Sequence, residues 1–153
     1  MKHISQAFEI QANKSPNNIA LVFKNETLTY GDLNAFSNQF ARYLIENGIK
    51  SGDIVGVSLN RSIEMIVCLL GILKAGGAYL PLDPNYPKDR LDYMINDSQI
   101  QHIVINSKEN NPLTIGNGKT RFLEALPDEL IQYSQENFPF EDQAQIIAYV
   151  LYT

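Results

Sequence analysis

The sequence predicts an α/β fold: a mostly parallel sheet flanked by helices. Three observations carry this. Short apolar runs of strand type recur at 54–59, 78–82 and 103–105. Between them lie two stretches with helical spacing, at 63–74 and 87–97. Gly, Pro or Asp punctuates the joints, as at Gly76-Gly77 and Asp83-Pro84. Strand and helix in strict alternation favour parallel pairing through right-handed crossovers.

Each element has a local reason. Ser5 is a candidate cap for a first helix reaching about Asn13, with Phe8 and Ala12 on one face. Pro16 ends that region. Residues 19–23 form an apolar strand-like run, Lys24-Asn25-Glu26 a turn and Thr27-Leu28-Thr29 a return strand. Thr29 and Asp32 have capping-box spacing. Leu33, Phe36, Phe40, Ala41 and Leu44 then recur at helical spacing until Gly48. The stretch 63–74 is apolar nearly all round, as a helix packed deep against a sheet should be. Pro87 opens an amphipathic helix carrying Leu91, Met94 and Ile95. Residues 106–145 are rich in Asn, Pro, Gly and charge and read as a variable surface excursion, with one short helix near 127–133. The run Ile146-Ile147-Ala148-Tyr149-Val150-Leu151-Tyr152 reads as a strand. Its apolar edge is expected to promote self-association.

Composition narrows the function. The chain has 153 residues, 44% hydrophobic and 19% charged, which suits a globular protein. A net charge of -5 with scattered basic residues argues against a nucleic-acid partner. The longest apolar run, 65–73, is too short to cross a membrane, which takes about 20 residues. The N-terminus has no apolar signal region, so the expected location is cytoplasmic. The single cysteine, Cys68, excludes an internal disulfide and reads as a buried, inert thiol.

Few motifs carry chemistry on their own. Gly116-Asn117-Gly118-Lys119-Thr120 ends like a phosphate-binding loop, but Leu113 stands where that motif needs its first glycine. It reads as a Gly-rich turn. His3 and His102 stand alone, Cys68 has no ligand spacing around it, and no metal site is expected. No nucleophile-elbow pattern is present. Glu141-Asp142 and Asp128-Glu129 read as solvated charge.

The informative string is Leu73-Lys74-Ala75-Gly76-Gly77-Ala78-Tyr79-Leu80-Pro81-Leu82-Asp83-Pro84-Asn85-Tyr86-Pro87. Residue by residue it is a helix-to-strand corner. As a whole it resembles the second core motif of the adenylation domains of nonribosomal peptide synthetases, members of the adenylate-forming AMP-dependent synthetase and ligase superfamily. Leu28-Thr29-Tyr30-Gly31-Asp32-Leu33-Asn34 is similar to the first core motif, with Asp where Glu is commoner. Gly52-Asp53-Ile54-Val55-Gly56-Val57, Arg61-Ser62-Ile63-Glu64-Met65-Ile66 and Arg90-Leu91-Asp92-Tyr93-Met94 also match. The likeness covers about 5–105 and resumes at Ala148-Tyr149-Val150-Leu151-Tyr152-Thr153, the opening of the third core motif.

The resemblance implies a domain, 1–153, that is the front of the large subdomain of one AMP-binding (adenylation) domain. It implies ATP-dependent activation of an amino acid in nonribosomal peptide synthesis. The parent enzyme would use ATP and Mg2+, and would hand the acyl group to phosphopantetheine on a carrier protein. Of the nucleotide loop only Thr153 is matched, as a cofactor-binding candidate; no catalytic and no metal-binding residue is implied, and no cofactor is expected in this piece alone. The chain is therefore expected to be inactive by itself. Two other readings stay open: one half of a split adenylating enzyme, and a non-enzymatic interaction module derived from it.

Overall fold

The structure, a computed structural model, describes residues 4–106, 119–122, 126–138 and 150–152. Helix α1 is Ile4–Lys14, with Ala12 buried. Ser5 lies inside it and not at its cap, because Ile4 is already helical; a capping residue must stand outside helical geometry. Strands β1 (Ile19–Phe23) and β2 (Glu26–Thr29) form an antiparallel hairpin that is a sheet of its own. Its tight turn holds Lys24 at φ 54°, in the left-handed region that such turns demand.

Helix α2 is Tyr30–Glu46. Thr29 caps it: its Oγ1 accepts from the Asp32 amide at 3.2 Å. Asp32 adds a favourable negative charge to the first turn. Gly48, at φ 102°, turns the chain away after Asn47. Leu33, Phe40, Ala41 and Leu44 are buried, as the spacing predicts. Phe36 is not; it is 40% exposed, at the margin of the apolar stripe.

The main sheet is built from β3 (Ile54–Ser58), β4 (Ala78–Pro81), β5 (His102–Ile105) and β6 (Lys119–Phe122), in the order β4-β3-β5-β6. All three pairings are parallel. Helices α3 (Ile63–Lys74) and α4 (Lys88–Ser98) make the crossovers. From β3 the chain steps outward to β4, then returns across β3 to β5. Right-handed crossovers in opposite directions put the two helices on opposite faces.

Side-chain alternation follows the pleat. Val55, Val57 and Val104 join α2 and α3 in one core. Leu80, Leu82, Ile103 and Ile105 join Leu91, Met94 and Ile95 of α4 in the other. Glycine permits the closest helix contact. A Cβ on Gly71 would meet the Phe40 ring at 2.6 Å, so only hydrogen lets α3 lie this close to α2. Just past the end of α3, Gly76 takes φ 86° and releases the chain toward β4.

Strand β6 lies within the stretch read as an excursion, where the sequence predicts no strand. Its residues, Lys119-Thr120-Arg121-Phe122, are mostly polar, and only pairing with β5 makes them a strand. This also removes the phosphate-loop reading. In such a loop the Lys-Thr pair opens a helix, whereas here it is extended. Helix α5 (Leu126–Leu130) falls close to the short helix expected at 127–133.

Two polar devices tie the helices together. The Lys74 ammonium, with a side chain 1% exposed, sits 2.6 Å from Glu9 Oε1 and donates to Asn34 Oδ1 at 2.7 Å. It thereby joins α1, α2 and α3. Burial pulls its pKa down, while Glu9 pulls it back up. The second device is a clasp. Asn38 donates to Gln135 O at 2.9 Å, Gln39 to Tyr133 O at 3.1 Å, and Arg42 to the carbonyls of Ser134 and Glu136. Asn34 and Asn38 both donate to Asn137 Oδ1. Arg42 also lies over the Phe138 ring at 4.2 Å.

Of the run expected to be a terminal strand, 146–149 lies outside the described residues. Val150, Leu151 and Tyr152 have no strand assignment. Nor do they form a wholly unpaired edge: the Val150 amide donates to Tyr79 O at 2.9 Å, and Val150 and Tyr152 pack on the core beneath α4. Leu151 is 62% exposed.

Candidate functional site

Parallel sheets bind ligands beyond the carboxyl ends of their strands, where neighbouring strands send their connections opposite ways. Here that point lies between β3 and β5. It is closed by a hydrogen bond: the Asn60 amide donates to Asn106 Oδ1 at 2.8 Å. Beside it, beyond β3 and β4, lies a cavity of about 470 Å³. Tyr79, Met65 and Leu69 give it apolar walls, while Asn60, Arg61, Asp83 and Asn85 supply polar groups.

Each of these groups is set by local chemistry. Ser62 caps α3, its hydroxyl accepting from the Met65 amide at 3.1 Å, and so directs the Asn60-Arg61 corner. Asp83 Oδ1 accepts from the Asn85 amide at 2.9 Å, which bends the chain directly after β4. The Leu82 amide donates to Val57 O at 2.9 Å and keeps that bend against β3. Among the described residues the lining holds one cation, Arg61, and one carboxylate, Asp83. It can seat a small polar group against apolar walls.

Thr153, the nucleotide-loop candidate, lies outside the described residues. The residue before it is firmly held. Tyr152 donates its phenol to Asp97 Oδ2 on α4 at 2.7 Å, and its ring meets Tyr93 edge-on at 6.2 Å. The bond to Asp97 pushes the Tyr152 phenol up to about 12. A raised folded-state value means this bond stabilises fully below the ordinary value of 10.0 and is lost as pH climbs toward about 12. In Asp97→Ala one phenol is expected to ionise nearer the ordinary range, as read by ultraviolet pH titration against the wild type. Superimposed curves would show that the bond does not form.

Cys68 is buried, and burial first, with the Glu64 carboxylate second, pushes its thiol up to about 12. It is an inert thiol at neutral pH. Among the described residues no group of three or more His, Cys, Asp or Glu comes together in a way that could hold a metal ion.

Comparison with known proteins decides the family. The family model described as AMP-binding enzyme matches residues 8–153. The chain belongs to the AMP-binding enzyme family. Among curated relatives of this family member, bacitracin synthase 2 of Bacillus licheniformis is 41% identical over 152 residues, which is 99% of this chain and 6% of that protein. Tyrocidine synthase 1 of Brevibacillus parabrevis is 40% identical over 153 residues, 99% of this chain and 14% of that protein. The chain thus spans a small fraction of the relatives it matches. Among solved structures, the nonribosomal peptide synthetase FmoA3 is 27% identical, with TM-score 0.86 over 97% of this chain and 16% of that one. The N-terminal subdomain of Klebsiella oxytoca NpsA, in complex with 3-hydroxybenzoyl-AMSN, shares the fold with TM-score 0.86 at 22% identity, over 100% of this chain and 38% of that one.

The sequence reading assigned none of Asn60, Arg61, Asp83, Asn85 and Asn106 to a site, although Arg61, Asp83 and Asn85 stand in the strings quoted above. The available signal was their position: each lies just past an apolar run in a sheet expected to be parallel.

Proposed function

We propose that this AMP-binding family chain serves the ATP-dependent activation of an amino acid in nonribosomal peptide synthesis. The observation that carries the reading is the match of 8–153 to the family, joined to identity of 41% with bacitracin synthase 2 over nearly the whole chain. In the proposed reaction an amino-acid carboxylate attacks the α-phosphorus of ATP. An aminoacyl adenylate forms and pyrophosphate leaves. The acyl group then passes to the phosphopantetheine thiol of a carrier protein, and AMP is released. Mg2+ would neutralise phosphate charge. No step is assigned here to a particular side chain of this chain. The part given to this chain is scaffold: a parallel sheet whose carboxyl edge and Tyr152 anchor border the reaction space. The reading includes a cytoplasmic location, where ATP is supplied.

The test is amino-acid-dependent ATP–pyrophosphate exchange. The complete gene product containing this chain is expected to exchange with one amino acid or a small related group. Silence with every amino acid and with aryl acids would overturn the reading. Residues 1–153 alone are expected to show no exchange above a no-enzyme control, and clear exchange would refute that.

A further inference from the structure

A second cavity, sharing no lining residue with the strand-end site, lies across the α2–α3 face. Its volume is about 470 Å³, within the range of about 300–1,000 Å³ typical of small-molecule sites. The floor is apolar: Phe40, Val67 and Cys68 meet Leu126 and Leu130. Two large apolar side chains stand exposed at its mouth, Phe36 at 40% and Ile131 at 80%. Its polar lining is one-sided. Glu26 at the start of β2 and Glu64 in the first turn of α3 are both present, and among the described residues no Lys, Arg or His lines it. Among the described residues the ion pairs are Lys74–Glu9 and Lys88–Asp92, so neither of these carboxylates is neutralised by one. The field of Glu64 reaches the floor, where it helps to raise the Cys68 thiol.

We propose that this cavity binds a small apolar cation: a ring or branched alkyl body carrying one ammonium or guanidinium group. The body would displace water from Phe36, Val67, Leu130 and Ile131, the lining side chains that water still reaches. The charge would remain near the mouth, shared between Glu26 and Glu64. An anion of the same shape would meet two like charges, and a neutral isostere would lose the electrostatic part alone. The chemistry thus orders three probes: amine, then alcohol, then carboxylate.

The experiment is calorimetric titration of the chain with phenethylamine, 2-phenylethanol and 3-phenylpropanoate at low salt. Phenethylamine is expected to bind most tightly, with the carboxylate weakest. Exposed charge pairs contribute modestly, so Glu26→Gln with Glu64→Gln is expected to weaken the amine by about threefold or more. Both glutamates are exposed, so the double variant keeps its core. Its affinity for the alcohol should not fall, a pattern that general misfolding would not produce. Raised salt should weaken the amine more than the alcohol. Equal binding of amine and alcohol, an unchanged amine affinity in the double variant, or no amine binding at millimolar concentration would each overturn the assignment.

Discussion

Phe40→Ala is expected to lower the unfolding free energy by about 3–5 kcal/mol, the usual cost of emptying a buried aromatic site. Phe40 is 0% exposed and stacks near Tyr43 at 6.0 Å. Its ring also fills the space that Gly71 leaves on α3. The cavity would open at the seam between α2 and α3, the two helices that cover one face of the sheet, and neither can close in without moving the other. Since domains of this kind hold about 5–15 kcal/mol in total, the loss would consume much of the stability. Urea unfolding followed by far-ultraviolet circular dichroism measures it. Phe36→Ala is the control. With 40% of Phe36 already exposed, it should cost about 1 kcal/mol or less. Equal costs would show that the two phenylalanines are not divided between core and margin as described.

Glu9→Gln is expected to cost about 3 kcal/mol, the lower end for breaking a buried pair, since part of Glu9 still reaches water. The side chains of Lys74 and Glu9 are 1% and 19% exposed. Removing the carboxylate charge leaves the ammonium with neutral Asn34 and the Phe8 ring beside it and the like charge of Arg42 within reach. Adding Lys74→Met should restore most of the loss, because an apolar side chain of similar length no longer needs a counter-charge. The pH dependence has a definite sign. Burial already holds the folded-state pKa of Lys74 below 10.5, and loss of Glu9 lowers it further. The unfolded chain then binds a proton that the folded chain lacks, so the variant should regain stability as pH rises toward 10.5. Thermal unfolding of the single and double variants across that range measures both effects. If Lys74→Met deepens the loss, the pair is not the source of the cost.

The elements legible in the sequence were those whose signals are local. Apolar runs bounded by Gly76 and Pro84, the Thr29 cap and the apolar sweep of α3 each announce themselves within a few residues. The likeness to adenylation domains rested on the string from Leu73 to Pro87 together with shorter strings such as 28–34, 61–66 and 90–94, each contiguous, and was supported by the family match. What stayed hidden depends on distant partners. Asn38 is fully buried because its amide meets Gln135, 97 residues away. Lys74 is buried because Glu9 approaches from another helix, 65 residues away. Strand β6 exists because β5 lies beside it, and nothing in its polar composition declares that. The strand-end cavity was hidden for a related reason: its residues are ordinary loop types whose meeting follows from the order of strands.

The clasp of α2 on 133–138 bears on how this chain can diverge. Asn38, Gln39 and Arg42 hold the carbonyls of Tyr133, Ser134, Gln135 and Glu136, not their side chains. Every amino acid offers the same carbonyl. The segment's course over α2 is thus fixed largely by the helix, while its own letters at 135 and 136 are left almost free; Ser134 keeps a part, its hydroxyl accepting from the Glu136 amide at 3.1 Å. Substitutions there can accumulate and retune the outer surface without disturbing the scaffold beneath, whereas a single inserted residue would shift every carbonyl out of reach. At 135 and 136 length, not spelling, is the constraint, and spelling counts again at Asn137 and Phe138, whose side chains meet α2.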